Sequence, residues 1–393
     1  MKKDKINNIF MLIMFFCLLA YGMLALIRTP KEISYTENRN LNKFQQFTAK
    51  GFIDGTYQTG LENAFTDQFI GGGKIKDIIN QKVSFSRYLA DIPFICENKY
   101  VKIKSEFYFW DCNEQFVKMA TTYTDADKER YEKLGEKYSE LNEKYDMYYY
   151  YITSPLNYDL TKNEEVVKVS EVMKKFWKGP YKYDNLSVEN AEELLSYFYK
   201  TDHHWNYKGS YNGYKDIMKL LNAEKEIKEP LETVTFDVKF YGSSSRVTSI
   251  YDYADNFTVY KFDYKVHDTY VDGNMATYGE EESYFLGKYN TTKGMNHYGI
   301  YYGGDMGEII YDFKEKKKDN VLIIGNSFTN AINKLIASGF NKTHIIDLRH
   351  YEGAMGEKFD IDKYIEKNDI DKVLIIMDYS YMIGEEFDMW GEK

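Results

Sequence analysis

Short apolar runs alternate with amphipathic stripes through the C-terminal part of this chain. Val321–Ile324 reads as a buried strand, Gly325-Asn326-Ser327 turns out of it, and Phe328–Ser338 carries a helical pattern. His344–Leu348 reads as a second strand, Ile361–Lys367 as a helix and Val373–Met377 as a third strand. That order implies parallel strands joined by right-handed crossovers. The same alternation starts earlier. Tyr131, Leu134, Tyr138 and Leu141 recur at three- and four-residue spacing within Asp125–Lys144, one stripe of an amphipathic helix. Asp146 then introduces Met147–Ile152, an aromatic and β-branched run expected to be a buried strand that Thr153-Ser154-Pro155 closes. A helix leading into a buried strand, repeated, predicts an α/β sheet.

Two regions break the alternation. Asn222–Asp319 is rich in Thr, Tyr, Val and Gly and reads as a β-rich insertion. At the N-terminus, Lys2, Lys3 and Lys5 precede Ile9–Ile27, 19 uncharged residues ended by Arg28, Thr29 and Pro30. At about 1.5 Å per residue such a run matches the hydrocarbon thickness of a bilayer. The positive flank would stay in the cytoplasm and place the rest of the chain outside, as a single-pass protein of the cell membrane. A cleaved signal peptide, with Ala20-Tyr21-Gly22 as the small-x-small site, is the alternative. The expected organisation is therefore an anchor over 1–30, a helical and linker region over 31–100, and a catalytic domain over 101–393. The insertion falls within that last part, over about 222–319.

Composition narrows the partners. The chain holds 61 acidic against 51 basic residues, with no basic cluster beyond short runs such as Lys316-Lys317-Lys318, which argues against nucleic acid. Tyrosine reaches 39 residues, an abundance assigned here to compositional bias and core, although exposed rings also stack on sugars. Cys17 lies in the apolar run, leaving Cys96 and Cys112 either as a disulfide or as two isolated thiols. Gly71-Gly72-Gly73 lacks the Lys-Ser/Thr pair of a phosphate loop and reads as a turn.

The candidate chemistry lies in two places. A serine just past a buried strand projects its hydroxyl at the carboxyl edge of a sheet, where free N–H groups of a helix start can meet an oxyanion. Ser327 meets that description, and a helix cap by Asn326 or Ser327 is the alternative. Thr201-Asp202-His203-His204-Trp205-Asn206 sets a carboxylate two residues from an imidazole in a chain with six histidines. Asp202 could orient His204, and His204 could deprotonate a serine. A metal site from Asp202, His203 and His204 is the competing reading, but no second His/Glu cluster follows at ligand spacing, and no metal or cofactor is assigned. Gly242-Ser243-Ser244-Ser245 lies between strand-like stretches and reads as a loop. Arg349, in Asp347-Leu348-Arg349, ends a strand on the edge that carries Ser327 and could hold a carbonyl oxygen or a polysaccharide. A salt-bridged arginine is its alternative.

These motifs together resemble the DHHW family, which is related to the periplasmic alginate O-acetyltransferases with SGNH-hydrolase-like domains. Asp202-His203-His204-Trp205 is the signature, followed by Asn206 and Gly209-Ser210-Tyr211. Glu37-Asn38-Arg39 with Leu41, Asp67-Gln68-Phe69, Tyr298-Gly299 with Gly303-Gly304, Asn326-Ser327-Phe328 and Asp347-Leu348-Arg349-His350-Tyr351 match in order. The resemblance implies an SGNH-hydrolase-like α/β/α sandwich with a parallel sheet, tethered to a membrane. It implies Ser327 as nucleophile, His204 as base and Asp202 as orienting acid, with Asn326 where members often have Asp; Arg349, Asn326, Trp205 and His203 are the candidates for substrate or oxyanion contact. The activity implied is transfer of acetyl to hydroxyls of a cell-surface or secreted polysaccharide, beside a multipass membrane-bound O-acyltransferase. An acetyl esterase with the same triad, or a non-catalytic polysaccharide-binding protein, are the alternatives.

Overall fold

The computed structural model describes residues 12–16, 32–34, 39–68, 100–103, 106–110, 116–118, 125–155, 158–159, 165–166, 181–248, 251, 253–276 and 295–378. The chain forms two compact units, Met1–Ile92 with Arg246–Ile250, and Pro93–Ser245 with Tyr251–Lys393. In the first, strands Ile33–Ser34 and Arg39–Asn40 pair antiparallel, and helices Ala49–Ile53 and Thr56–Gln68 follow. Asp67 accepts from both the backbone and the side-chain nitrogen of Asn42, and Gln68 donates to the Asn42 carbonyl. Those bonds fasten the second helix to the segment before it.

The spanning helix expected over Ile9–Ile27 is not found among the described residues. Of that stretch only residues 12–16 are described, and they are helical. No helix among the described residues is long and apolar enough to cross a membrane. The signal-anchor, the membrane as a partner, and the single-pass extracytoplasmic location built on them are not retained. The glycine triplet at 71–73, Cys96 and Cys112 lie outside the described residues.

The second unit is built on one eight-stranded sheet. From Asp125 on, the elements run α1 (Asp125–Lys144), β1 (Met147–Ile152), β2 (Lys182–Leu186), α2 (Ala191–Tyr197), α3 (Tyr207–Leu220), β3 (Glu232–Phe240), α4 (Ser243–Thr248, whose last three residues belong to the first unit), β4 (Asp255–Lys261) and β5 (Asp268–Val271). They continue with β6 (Asn274–Met275), α5 (His297–Tyr302), β7 (Glu308–Asp312), β8 (Asn320–Gly325), α6 (Asn333–Ala337), β9 (Lys342–Ile346), α7 (Leu348–Met355), α8 (Ile361–Asn368) and β10 (Lys372–Asp378). The sheet order is β6-β5-β7-β9-β8-β10-β1-β2. From β9 to β2 every pairing is parallel, and β7, β5 and β6 extend the sheet antiparallel. The sheet is therefore mixed, not parallel throughout. Part of the region expected as a β-rich insertion supplies the antiparallel strands, while β3 and β4 pair apart as a two-stranded sheet.

Side-chain alternation divides the core. Met147, Tyr149 and Tyr151 of β1 join Leu322, Ile324, Val373, Ile375 and Met377 on one face, under Leu134, Tyr138 and Leu141 of α1 and Ile361, Tyr364 and Ile365 of α8. On the other face the Tyr150 hydroxyl reaches Asp216 of α3. A second aromatic core forms where β3 and β4 meet α5, from Tyr199, Phe236, Phe240, Phe257 and Tyr298. That cluster lies directly behind the candidate site.

Two boundaries differ from the pattern. Leu348 starts α7 and does not end β9, because the Asp347 side chain accepts from Arg349 N and caps the helix. The helix expected over Phe328–Ser338 is instead a 3₁₀ turn, Thr329–Ala331, followed by α6. The Asn326 carbonyl takes both the amide and the hydroxyl of Thr329, which tightens the chain into an i to i+3 turn.

Candidate active site

The Asp-His-His stretch is a six-residue loop, 199–204, closed at its base. Phe198 and Trp205 form an isolated antiparallel bridge, and Asn206 N donates to the Tyr197 carbonyl. Asn206 then caps α3 by accepting from the amides of Lys208 and Gly209. Trp205, fully buried, donates its indole N–H to the Phe328 carbonyl at 2.9 Å, which ties this loop to the turn after β8. Gly213 makes room for the indole, since a Cβ there would lie 2.6 Å from the ring.

Within the loop Asp202 is completely buried and His204 nearly so. Asp202 Oδ1 accepts from His204 N at 2.9 Å and lies 2.5 Å from His204 Nδ1. A carboxylate only accepts, so Nδ1 carries the hydrogen and Nε2 is left as an acceptor. Ser327 Oγ lies 2.7 Å from that Nε2. The turn after β8 thus brings Ser327 to His204 across 123 positions of sequence. Asn326 is buried, and its side chain accepts from Phe328 N at 3.1 Å, which makes it a turn former at this place. Among the described residues the amide N–H of Ser327 has no hydrogen-bond partner.

Further groups complete the surroundings. Tyr298 of α5 stacks on the His204 ring with centroids 4.1 Å apart and planes at 6°, and its hydroxyl donates to the Ser327 carbonyl at 3.1 Å. His203 lies against His204 at 3.9 Å, and its Nδ1 shares a 2.6 Å hydrogen bond with Ser243 Oγ. Ser243 N donates to Asp202 Oδ2 at 2.6 Å. Gly242 N donates to Thr201 Oγ1, and the amides of Ser244 and Ser245 donate to the Thr201 carbonyl. Behind them Asp255, the first residue of β4, accepts from Lys200 N, Thr201 N and Thr201 Oγ1. Burial pushes the Asp255 carboxyl up to about 6, against those donors, and the nearby Asp202 charge adds to the rise. The segment expected to be a plain loop at Gly242–Ser245 therefore grips the back of Asp202. Tyr298, Thr201, Ser243 and Asp255 received no role from sequence. The signals in the chain were the threonine beside Asp202 and the Tyr298-Gly299 pair.

Arg349 is placed elsewhere on the same edge. Its guanidinium meets Asp347, with Nη2 donating to Oδ2 at 2.5 Å, and approaches Asp305 at 3.4 Å. Asp305 in turn accepts from Asn330, three residues past Ser327. Ligand atoms of Asp305, Asp347 and His350 lie within 4.8 Å of one another, as do those of Asp202, His203 and His204. In the first group the guanidinium already stands at both carboxylates, supplying the charge a cation would bring. In the second, the Asp202 oxygens and both His204 ring nitrogens are committed to the hydrogen bonds above.

No protein-family model matches the chain, and no curated protein matches it. Solved structures do. PatB1 of Bacillus cereus, in a structure with a sulfonyl adduct, superposes with a TM-score of 0.56 at 19% identity, covering 75% of this chain and 99% of that one. A DHHW family protein from Eubacterium siraeum superposes with a TM-score of 0.51 at 17% identity, covering 73% of this chain and 95% of that one. The chain shares with these proteins an α/β fold.

Proposed function

We propose that the protein is a serine enzyme of acyl transfer between oxygen atoms, with acetyl as the group carried and a carbohydrate hydroxyl as the acceptor. One observation carries the reading: the unbroken chain from buried Asp202 through His204 to the Ser327 hydroxyl at the carboxyl end of β8. Support for its chemistry comes from the sulfonyl adduct of the structurally similar PatB1, since sulfonyl groups are captured by nucleophiles. The acetyl group and the carbohydrate come from the DHHW resemblance of the motifs.

The steps follow from the atoms. Ser327 Oγ attacks the ester carbonyl carbon while its proton passes to His204 Nε2. Asp202 stabilises the resulting imidazolium through Nδ1–H, and the Ser327 amide meets the oxyanion. Collapse expels the alcohol oxygen, which takes the proton from Nε2 and leaves acetyl on Ser327. An acceptor hydroxyl then gives its proton to Nε2 and attacks the acetyl carbon; collapse breaks the Ser327 Oγ–acyl bond, Oγ takes the proton back from Nε2, and acetyl leaves on the acceptor. Water in the acceptor's place would make the same centre an esterase.

Incubating the full chain with a chromogenic acetyl ester is expected to give turnover and a transient acetyl mass adduct on Ser327. Ser327→Ala is expected to lower turnover on the order of 10³-fold or more. Unchanged turnover in that variant would sink the reading. Added oligosaccharide accelerating release of the adduct, with acetyl recovered on sugar, separates transfer from hydrolysis.

A further inference from the structure

We infer that Tyr298 is a positioning residue of this centre, with its ring holding and stabilising the protonated form of His204 and its hydroxyl fixing the backbone of the nucleophile. The inference rests on the acyl-transfer reading and goes beyond it. Two independent contacts carry it. The phenol ring lies parallel to the imidazole at 4.1 Å, the arrangement in which an aromatic face attracts a cation. The hydroxyl donates to the Ser327 carbonyl at 3.1 Å and reaches the Phe328 carbonyl at 3.5 Å. One side chain therefore touches both the base and the main chain that carries the nucleophile.

The residue is held firmly enough for this task. Tyr298 is buried, belongs to the aromatic core between β3, β4 and α5, and packs on Tyr302 at 4.9 Å. Asn296 caps α5 by accepting from Gly299 N, which sets the start of the helix. Burial raises the phenol well above its usual range, so it remains a neutral donor. The titratable groups that touch His204 are Asp202 and His203 of its own loop and Tyr298 of α5. Asp255 stands behind Asp202, with Tyr302 and Asp305 behind Tyr298. His203, packed on the other face of His204, carries no such attraction, since its own protonation would set two cations 3.9 Å apart.

Ring and hydroxyl can be tested apart. Acylation of Ser327 by 4-nitrophenyl acetate would be followed from pH 5 to 9 in the full chain, in Tyr298→Phe and in Tyr298→Leu. Rates would be normalised to the folded fraction from circular dichroism. Tyr298→Phe keeps the ring, so the plateau rate is expected to fall about tenfold with the acid limb unmoved. Tyr298→Leu removes the ring, so the acid limb is expected to move to lower pH by roughly half a unit or more. Both variants acylating like the parent per folded molecule, with the same limb, would overturn the inference and leave a packing role. A parent acylated no faster than Ser327→Ala would instead remove the acyl-transfer reading itself, and this inference with it.

Discussion

A Cβ on Gly242 would stand 2.2 Å from Asp202 Cβ and 2.5 Å from the Thr201 carbonyl oxygen. Main chain meets main chain there, so no flexible side chain can give way. Gly242→Ala is expected to cost about 1–3 kcal/mol of stability and to pull Ser243 N off the Asp202 carboxylate. Urea unfolding and the acetyl-ester assay check both parts, and a variant unchanged in each would show that the contact yields. This clamp was not legible in the sequence. Asp202 and His204 are two positions apart, so their relation can be read locally. The partners that hold Asp202 and Thr201 come from 41 and 54 positions away, and nothing local in a Gly-Ser-Ser-Ser run says what it will touch.

Trp205 joins two elements, the loop before α3 and the turn after β8. Trp205→Phe would remove the donor at 2.9 Å from the Phe328 carbonyl and leave a void over Gly213. A cost of about 1–3 kcal/mol is expected, together with lower ester turnover per folded molecule, because Phe328 adjoins Ser327. A chemical denaturation curve beside active-site titration separates the two effects. Strands β1, β8 and β10 were readable because each is built on a continuous apolar run, and α1 because Tyr131, Leu134, Tyr138 and Leu141 fall on one helical stripe. Strand β9, which opens on Lys342 and Thr343, was read too late in the chain. The direction in which β7 and β5 join the sheet was not, since pairing sense is a non-local choice. The broken helix after Ser327 escaped because apolar spacing survives a 3₁₀ turn. The apolar N-terminal run satisfied a length rule, but no helix among the described residues is long and apolar enough to cross a membrane.

Over the whole molecule, the response to acid depends also on groups outside the Asp202–His204–Ser327 chain. His344 of β9 is buried, and its Nδ1 pairs with the Tyr364 hydroxyl, which donates to Glu308. Burial, then the Lys342 charge, push His344 down to about 3. The unfolded imidazole takes its proton near 6.5, so the stabilising contribution is complete above that value. It is lost as pH falls from 6.5 toward 3. Asp255, raised to about 6, acts in the opposite sense, contributing stability at low pH that is lost as pH rises through 6. The stability difference between the parent and His344→Asn isolates the first effect. It is expected to shrink by about 1 kcal/mol between pH 7.5 and 5.5 in urea titrations. A constant difference would mean that His344 is not held neutral.

The long reach between His204 and Ser327 has a consequence for the life of the chain before it is folded. The acid and its base share one short loop and can find each other early, whereas the hydroxyl is delivered only when β8 takes its place in the sheet. Under the proposed mechanism a partly assembled chain would carry an ordinary serine, inert toward esters. The reactivity proposed for Ser327 would in that sense be a certificate of completed architecture, issued by topology and not by any one segment.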